Sequence, residues 1–161
     1  MSNENSLVQV LLDKIPGFGA YREATRLRDD DLEARKFVAM RLAECKGNLD
    51  RLAAQAVKGL LLDEVVEIEN VRADVDRGRS RIENAIAGYR SVWESRGASV
   101  ELIQDALQID HALVSIVDRM DAAARESIGN PKAFDATTSR ELARELHAQI
   151  DRREQLLDAD S

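Results

Sequence analysis

Residues 61–86 read LLDEVVEIENVRADVDRGRSRIENAI, and their apolar side chains recur at steps of three and four. The series begins Leu61, Val65, Ile68, Val71, Val75. Because an α-helix turns once every 3.6 residues, this spacing collects the apolar side chains on one helical face. No Pro interrupts the stretch. The pattern therefore predicts a long amphipathic helix over residues 61–86.

The same pattern precedes this stretch and follows it. Residues 21–58 predict another long helix, and Gly59 with Leu60 to Asp63 predicts the tight reversal between the two. A third helix is predicted over 100–125, where a wide apolar face indicates contact with two neighbours. Residues 88–97 (GYRSVWESRG) are expected to connect the second and third helices.

Shorter helices are predicted at both ends of the chain. Residues 5–15 are amphipathic, and Pro16-Gly17 then interrupts the pattern. Residues 128–137 contain Gly129-Asn130-Pro131 and predict a loop. The capping box Thr138-x-x-Glu141 then starts a helix over 138–157. We expect this last helix to dock on the bundle, although it could instead project as a partner-binding arm.

These helices predict an all-α fold. The chain has 161 residues, of which 44% are hydrophobic, and only two are Pro. Aromatic residues make up only 4%, so the core must consist of Leu, Val, Ile and Ala. We expect a single domain over 1–161: an antiparallel bundle of three long or medium helices with coiled-coil-like seams, plus the short terminal helices.

Charge and composition argue against several function classes. The formal net charge of −7 makes nucleic acid an unlikely partner, because like charges repel. No apolar run approaches the ~20 residues that span a bilayer. The first ten residues, MSNENSLVQV, do not resemble a signal peptide, and Cys45 has no second cysteine to pair with. These features indicate a cytoplasmic protein.

The residues that carry common chemistries do not occur in the required patterns. Carboxylate di-iron bundles need Glu-x-x-His pairs, but Gln108 and Arg144 stand three residues before the two histidines, His111 and His147. The sequence therefore predicts no catalytic residues, cofactor or metal. Asp110 lies beside an apolar stripe and is a candidate buried polar residue, which would need an Arg or a backbone donor. An enzyme using Asp110 and Arg side chains around an internal pocket is the remaining catalytic alternative.

Basic residues crowd the end of the second predicted helix and the connection after it. One interpretation is a patch that binds an anion, a nucleic acid or another partner; the other is that these cations pair with interleaved acids such as Asp74, Asp76 and Glu83. The cluster comprises Arg72, Arg77, Arg79, Arg81, Arg90 and Arg96.

Two segments carry a resemblance to a known family. Residues 15–23, IPGFGAYRE, and residues 87–94, AGYRSVWE, with the helix that follows, resemble an uncharacterised family of bacterial all-helical proteins over about residues 12–120. The likeness departs where that family's Gly-Tyr-Ser-Gly-aromatic block reads Gly88-Tyr89-Arg90-Ser91-Val92-Trp93. The family has no established activity to carry over, apart from an association with SPFH (band-7) membrane-scaffold systems.

The aromatic residues of those two segments form a further hypothesis. If both segments are turns at one end of the bundle, four aromatic side chains meet there and close the core. These are Phe18, Tyr21, Tyr89 and Trp93.

The function predicted from these features is a non-enzymatic helical interaction or scaffold module. Its partner is another protein or a second copy of the chain, reached through the long amphipathic faces. The alternative is a peripheral membrane adaptor that contacts lipid through residues 5–18.

Overall fold

Over the residues that the structure describes, the fold is all-α, as predicted, with four helices packed against one another. The computed structural model describes the backbone of residues 27–94 and 100–158, and the side chains of 33–84 and 105–156. The helices are α1 (Leu27–Lys58), α2 (Leu62–Glu94), α3 (Val100–Ser127) and α4 (Ala136–Asp158), and a 3₁₀ turn covers Pro131–Ala133. The predicted helix over 5–15 lies outside the described residues.

Each helix packs on two others. α1 contacts α2 and α3, and α4 also contacts α2 and α3, so the C-terminal helix is part of the bundle. The core between them is built from Leu, Val, Ile, Ala and Met. Its largest fully buried side chains are Leu42, Leu49, Leu52, Ile68, Ile82, Leu113, Met120, Leu146 and Ile150.

Polar contacts between helices reveal how α1, α2 and α3 run. Lys46 binds Asp76 at 2.8 Å and Asp50 pairs with Arg72, so α1 and α2 run in opposite directions. Arg41 binds Asp118 at 3.0 Å, and Gln55 Oε1 accepts the Gly129 N–H at 2.7 Å. Residue numbers therefore rise together along α1 and α3, which run in the same direction.

The helix predicted to end near residue 86 continues to Glu94, so the predicted connection over 88–97 is wrong for residues 88–94. The sequence pattern places the end of this helix before Gly88, but one Gly inside a helix costs only about 1 kcal/mol relative to Ala. The residues after it, YRSVWE, contain no Pro. Residues 88–94, where the sequence predicts an aromatic turn, are therefore helical.

The start of the last helix is also corrected. α4 begins at Ala136 rather than at residue 138, because Asp135 caps it. The Asp135 carboxylate accepts the Thr138 N–H at 3.0 Å and the Thr138 hydroxyl at 2.7 Å. These bonds lower the pKa of Asp135. Asp is as good an N-cap as Thr, and the helix gains two residues by using it.

The reversal after α1 lies where the sequence places it, but its left-handed residue is Leu60 rather than Gly59. Leu61 N–H donates to Ala56 O at 2.9 Å and Leu60 N–H donates to Val57 O at 3.1 Å. This pair of bonds is a Schellman motif, which needs a left-handed residue at the position that Leu60 occupies. Leu60 has φ +56°, a conformation that costs a side-chain-bearing residue about 1–2 kcal/mol.

Leu60→Gly should therefore stabilise the fold by about 1 kcal/mol, because it removes this strain and the Leu60 side chain is almost fully exposed. Urea unfolding measures the free energy of unfolding. Gly59→Ala is the matched control: a Cβ there meets no atom closer than 3.4 Å, so it should be neutral or slightly stabilising. A strongly destabilising Gly59→Ala, with no gain for Leu60→Gly, would show that the left-handed residue is misassigned.

Candidate functional site

The four described arginines of the predicted basic cluster are engaged by carboxylates. Arg72 pairs with Asp50 and with Glu69, while Arg77 pairs with Asp74. Arg79 Nε lies 3.0 Å from Glu83 Oε1. Arg81 pairs with Asp151 and lies 3.2 Å from Glu154, both on α4. For Arg90 the structure describes the backbone, which lies in α2, but not the side chain. Arg96 lies outside the described residues.

Arg81 belongs to the α2–α4 contact rather than to an open surface. Its guanidinium lies 3.2 Å from His147 Nδ1, and His147 Nε2 lies 3.1 Å from the carbonyl oxygen of Asp74. The neutral imidazole with its proton on Nε2 satisfies both contacts, because Nδ1 then accepts from Arg81 and Nε2 donates to the carbonyl. The geometry thus favours the pairing interpretation for this part of the cluster.

Asp110 is completely buried and joins three helices. Arg153 of α4 donates to Asp110 Oδ1 at 2.7 Å, and Arg35 Nε of α1 lies 3.5 Å from the same oxygen. Both arginines are themselves buried. The Asp110 carboxylate therefore links α3 to α4 through Arg153 and to α1 through Arg35.

A second buried carboxylate, Asp121, lies farther along α3. Asn48 Nδ2 donates to Asp121 Oδ1 at 2.7 Å, and Arg125 Nε lies 2.9 Å from Oδ2. These residues line an open groove of about 520 Å³ between α1 and α3, to which Arg41 and Arg51 also contribute. Apart from Arg51, the cations of this groove already have carboxylate partners.

Cys45 lies in the core next to this cluster. Burial raises the pKa of its thiol from 9.0 to about 12, and the nearby charge of Asp121 also raises it. A thiol in this state is a poor nucleophile at neutral pH. Over the described residues there is also no group of three or more His, Cys, Asp or Glu placed to hold a metal ion.

The feature that sequence reasoning missed is a cluster of exposed apolar side chains at the α1–α2 reversal. We call Val57, Leu60, Leu62 and Val66 the apolar tip. Leu60 is 81% exposed and Leu62 is 70% exposed. Leu62 and Val66 are four residues apart and share a face of α2. An apolar group of this kind on a protein surface is typical of an interaction site.

The sequence did contain a signal for the apolar tip. Leu60, Leu61 and Leu62 are consecutive, and three consecutive side chains in a turn cannot all point toward one core. Leu61 packs against the core and the other two do not. Helical periodicity assigns Leu61 to the buried seam and gives Leu60 and Leu62 no position on it.

The aromatic-cap hypothesis stays a prediction. Phe18 and Tyr21 lie outside the described residues, and Tyr89 and Trp93 lie in α2 with their side chains outside the description. In the part of the chain that the structure covers, no helix is sufficiently long and apolar to traverse a bilayer. No protein-family model, characterised protein or solved structure matches the chain.

Asp110→Ala should cost about 3–5 kcal/mol of unfolding free energy, because it leaves Arg35 and Arg153 buried without their shared carboxylate. The triple variant R35M/D110L/R153M should recover most or all of this loss, since apolar groups of similar volume often replace a buried ion cluster without cost. Glu145→Ala, at an exposed carboxylate inside α4, is the control and should change stability by less than about 0.5 kcal/mol. A cost below about 1 kcal/mol for Asp110→Ala would contradict the burial of the cluster.

The raised pKa of Cys45 predicts a loss of stability at alkaline pH. The unfolded thiol ionises near pH 9.0 and the folded one near pH 12, so this contribution is complete below pH 9 and is lost between these values. By pH 10 the loss should be about 1 kcal/mol. The measurement is the pH dependence of urea unfolding for the wild type and Cys45→Ala, whose difference removes the titration of other groups. Parallel curves from pH 8 to 11 would contradict the assignment.

Proposed function

We propose that the chain is a non-enzymatic helical interaction or scaffold module that works in the cytoplasm. The apolar tip is the surface through which it binds a protein partner. The observation that carries this proposal is Leu60: an exposed apolar side chain on a backbone in the left-handed region. Folding alone would favour Gly at this position, so the presence of a Leu side chain points to a use outside the fold.

The polar sites of the bundle support the same conclusion. The carboxylates of Asp110 and Asp121 are engaged by buried or groove-lining cations, and the thiol of Cys45 has a raised pKa. Groups held in this way stabilise helix contacts, and acid–base or nucleophilic chemistry needs groups that face a substrate. The interaction surface is therefore the stronger candidate for function.

The wider arrangement is part of this proposal. We propose one domain over 1–161, in which the predicted helix over 5–15 precedes the antiparallel bundle and α4 closes it. Membership of the bacterial family that the sequence resembles, with its link to SPFH systems, is likewise a proposal. A peripheral membrane adaptor acting through residues 5–18 is the alternative.

The test compares what copurifies with tagged wild type, with the tip variant L60S/L62S and with Met40→Ser. Met40 is also an exposed apolar residue of α1, but it lies outside the apolar tip, so it is the matched control. Quantitative mass spectrometry after expression in the source organism should find a partner, another protein or an untagged copy, with wild type and Met40→Ser. The tip variant should lose it by tenfold or more, as expected when hot-spot residues are removed.

Urea unfolding of the three proteins controls for damage to the fold. If wild type and L60S/L62S recover the same proteins in the same amounts, the apolar tip is not the interaction surface. Binding to vesicles that requires residues 5–18 and not the apolar tip would favour the membrane adaptor instead.

A further inference from the structure

We propose that the partner of the apolar tip is a second copy of this chain, and that two copies meet tip to tip about a twofold axis. This inference rests on the proposed function, because it uses the same surface and names what covers it. The juxtaposition that carries it is an exposed apolar cluster with an exposed Lys58 on one side and an exposed Asp63 on the other.

The apolar side chains lie close to the α1–α2 reversal. Val57 is in the last turn of α1, Leu60 is in the turn itself, and Leu62 and Val66 are in the first two turns of α2. Leu62 and Val66 share a face of α2 because they are four residues apart. The apolar tip is therefore confined to this end of the hairpin.

The exposed charges beside the apolar tip are able to pair with the same charges on a second copy of the chain. Among the described residues, Lys58, Asp63 and Glu64 have no ion-pair partner within this chain. In a twofold contact, each residue that meets another is met by it in return. One arrangement therefore pairs Lys58 of each copy with Asp63 of the other, and both pairs form at once. A surface with one sign of charge would not offer this.

The size of the surface predicts a weak, reversible dimer. A stable interface buries about 800 Å² on each partner, whereas four exposed apolar side chains supply on the order of a few hundred Å². We therefore expect dissociation constants in the micromolar to millimolar range, with Leu60 near the axis as the central contact. Association should weaken as salt rises, since the flanking pairs are exposed.

The test is sedimentation equilibrium of the purified full chain with a pair of charge reversals, Lys58→Asp and Asp63→Lys. Each single variant places like charges across the axis and should self-associate at least about tenfold more weakly than wild type. An equimolar mixture of the two should associate more strongly than either alone, because each variant now complements the other. The double variant K58D/D63K should recover wild-type association.

Lys36→Asp and Asp105→Lys are matched controls, because they make the same charge changes at exposed sites away from the apolar tip. Leu60→Ser tests the apolar contact without any change of charge and should also weaken association at least about tenfold. Circular dichroism identifies any variant that fails to fold, and the remaining variants still decide the result.

Wild type that stays monomeric at millimolar concentration would overturn self-association. Self-association through the apolar tip would also be overturned if the charge reversals at residues 58 and 63 weaken association no more than the control reversals at residues 36 and 105. If copurification nevertheless depends on the apolar tip, the proposed function stands and its partner is a different protein. If neither experiment depends on the apolar tip, both proposals fail.

Discussion

Asp110 imposes the strictest constraint on this bundle, because its carboxylate has no exposed surface and a buried charge is tolerated only when opposite charges surround it. Arg35 of α1 and Arg153 of α4 meet it from two different helices. An apolar seam permits neighbouring helices to slide by a turn at modest cost, but a buried ion cluster does not. Asp121, which is also buried, repeats the constraint farther along α3 by contacting Arg41 of α1, and the partly exposed Asp118 adds a second contact to the same Arg41. The carboxylates of α3 therefore fix which helices are neighbours and in which register.

A bundle fixed in this way uses its titratable groups for structure. Its ion pairs join α1 to α2, α1 to α3, α2 to α4 and α3 to α4, and its one cysteine lies in the core with a raised pKa. The apolar tip is the contrasting feature. Val57, Leu60, Leu62 and Val66 are exposed, and Leu60 has a backbone conformation that suits Gly better. We therefore propose that function lies in the apolar tip, because its exposed side chains and the Leu60 backbone conformation do not contribute to stability.

Much of the fold followed from apolar periodicity, which predicted an all-helical chain and placed the first reversal after residue 58. Its errors have specific physical causes. Gly88 and Thr138 are residues that break or cap helices, yet Gly88 lies inside α2, and Asp135 caps α4 one turn before the predicted start. Local propensities of about 1 kcal/mol are small enough for the surrounding helix to override them.

The candidate site was less predictable than the fold. Periodicity assigns a position to a seam or a surface, and it says little about apolar residues in turns, where the helical repeat ends. Leu60 and Leu62 lie at that point, beside Gly59. The partners of Asp110, and Asn48 as a partner of Asp121, also required three dimensions, because each of them lies more than 40 residues away on another helix.

The most direct test of this account is the distance between α1 and α3, measured by electron paramagnetic resonance on paired spin labels. Glu33, Asp105 and Glu126 are exposed labelling sites, and the buried Cys45 can be replaced by Ala. Because α1 and α3 run in the same direction, the 33–105 distance should be short, and the 33–126 distance should be longer by on the order of 25 Å. A 33–126 distance shorter than the 33–105 distance would contradict the register that the buried carboxylates impose, and with it the structural basis of the proposals.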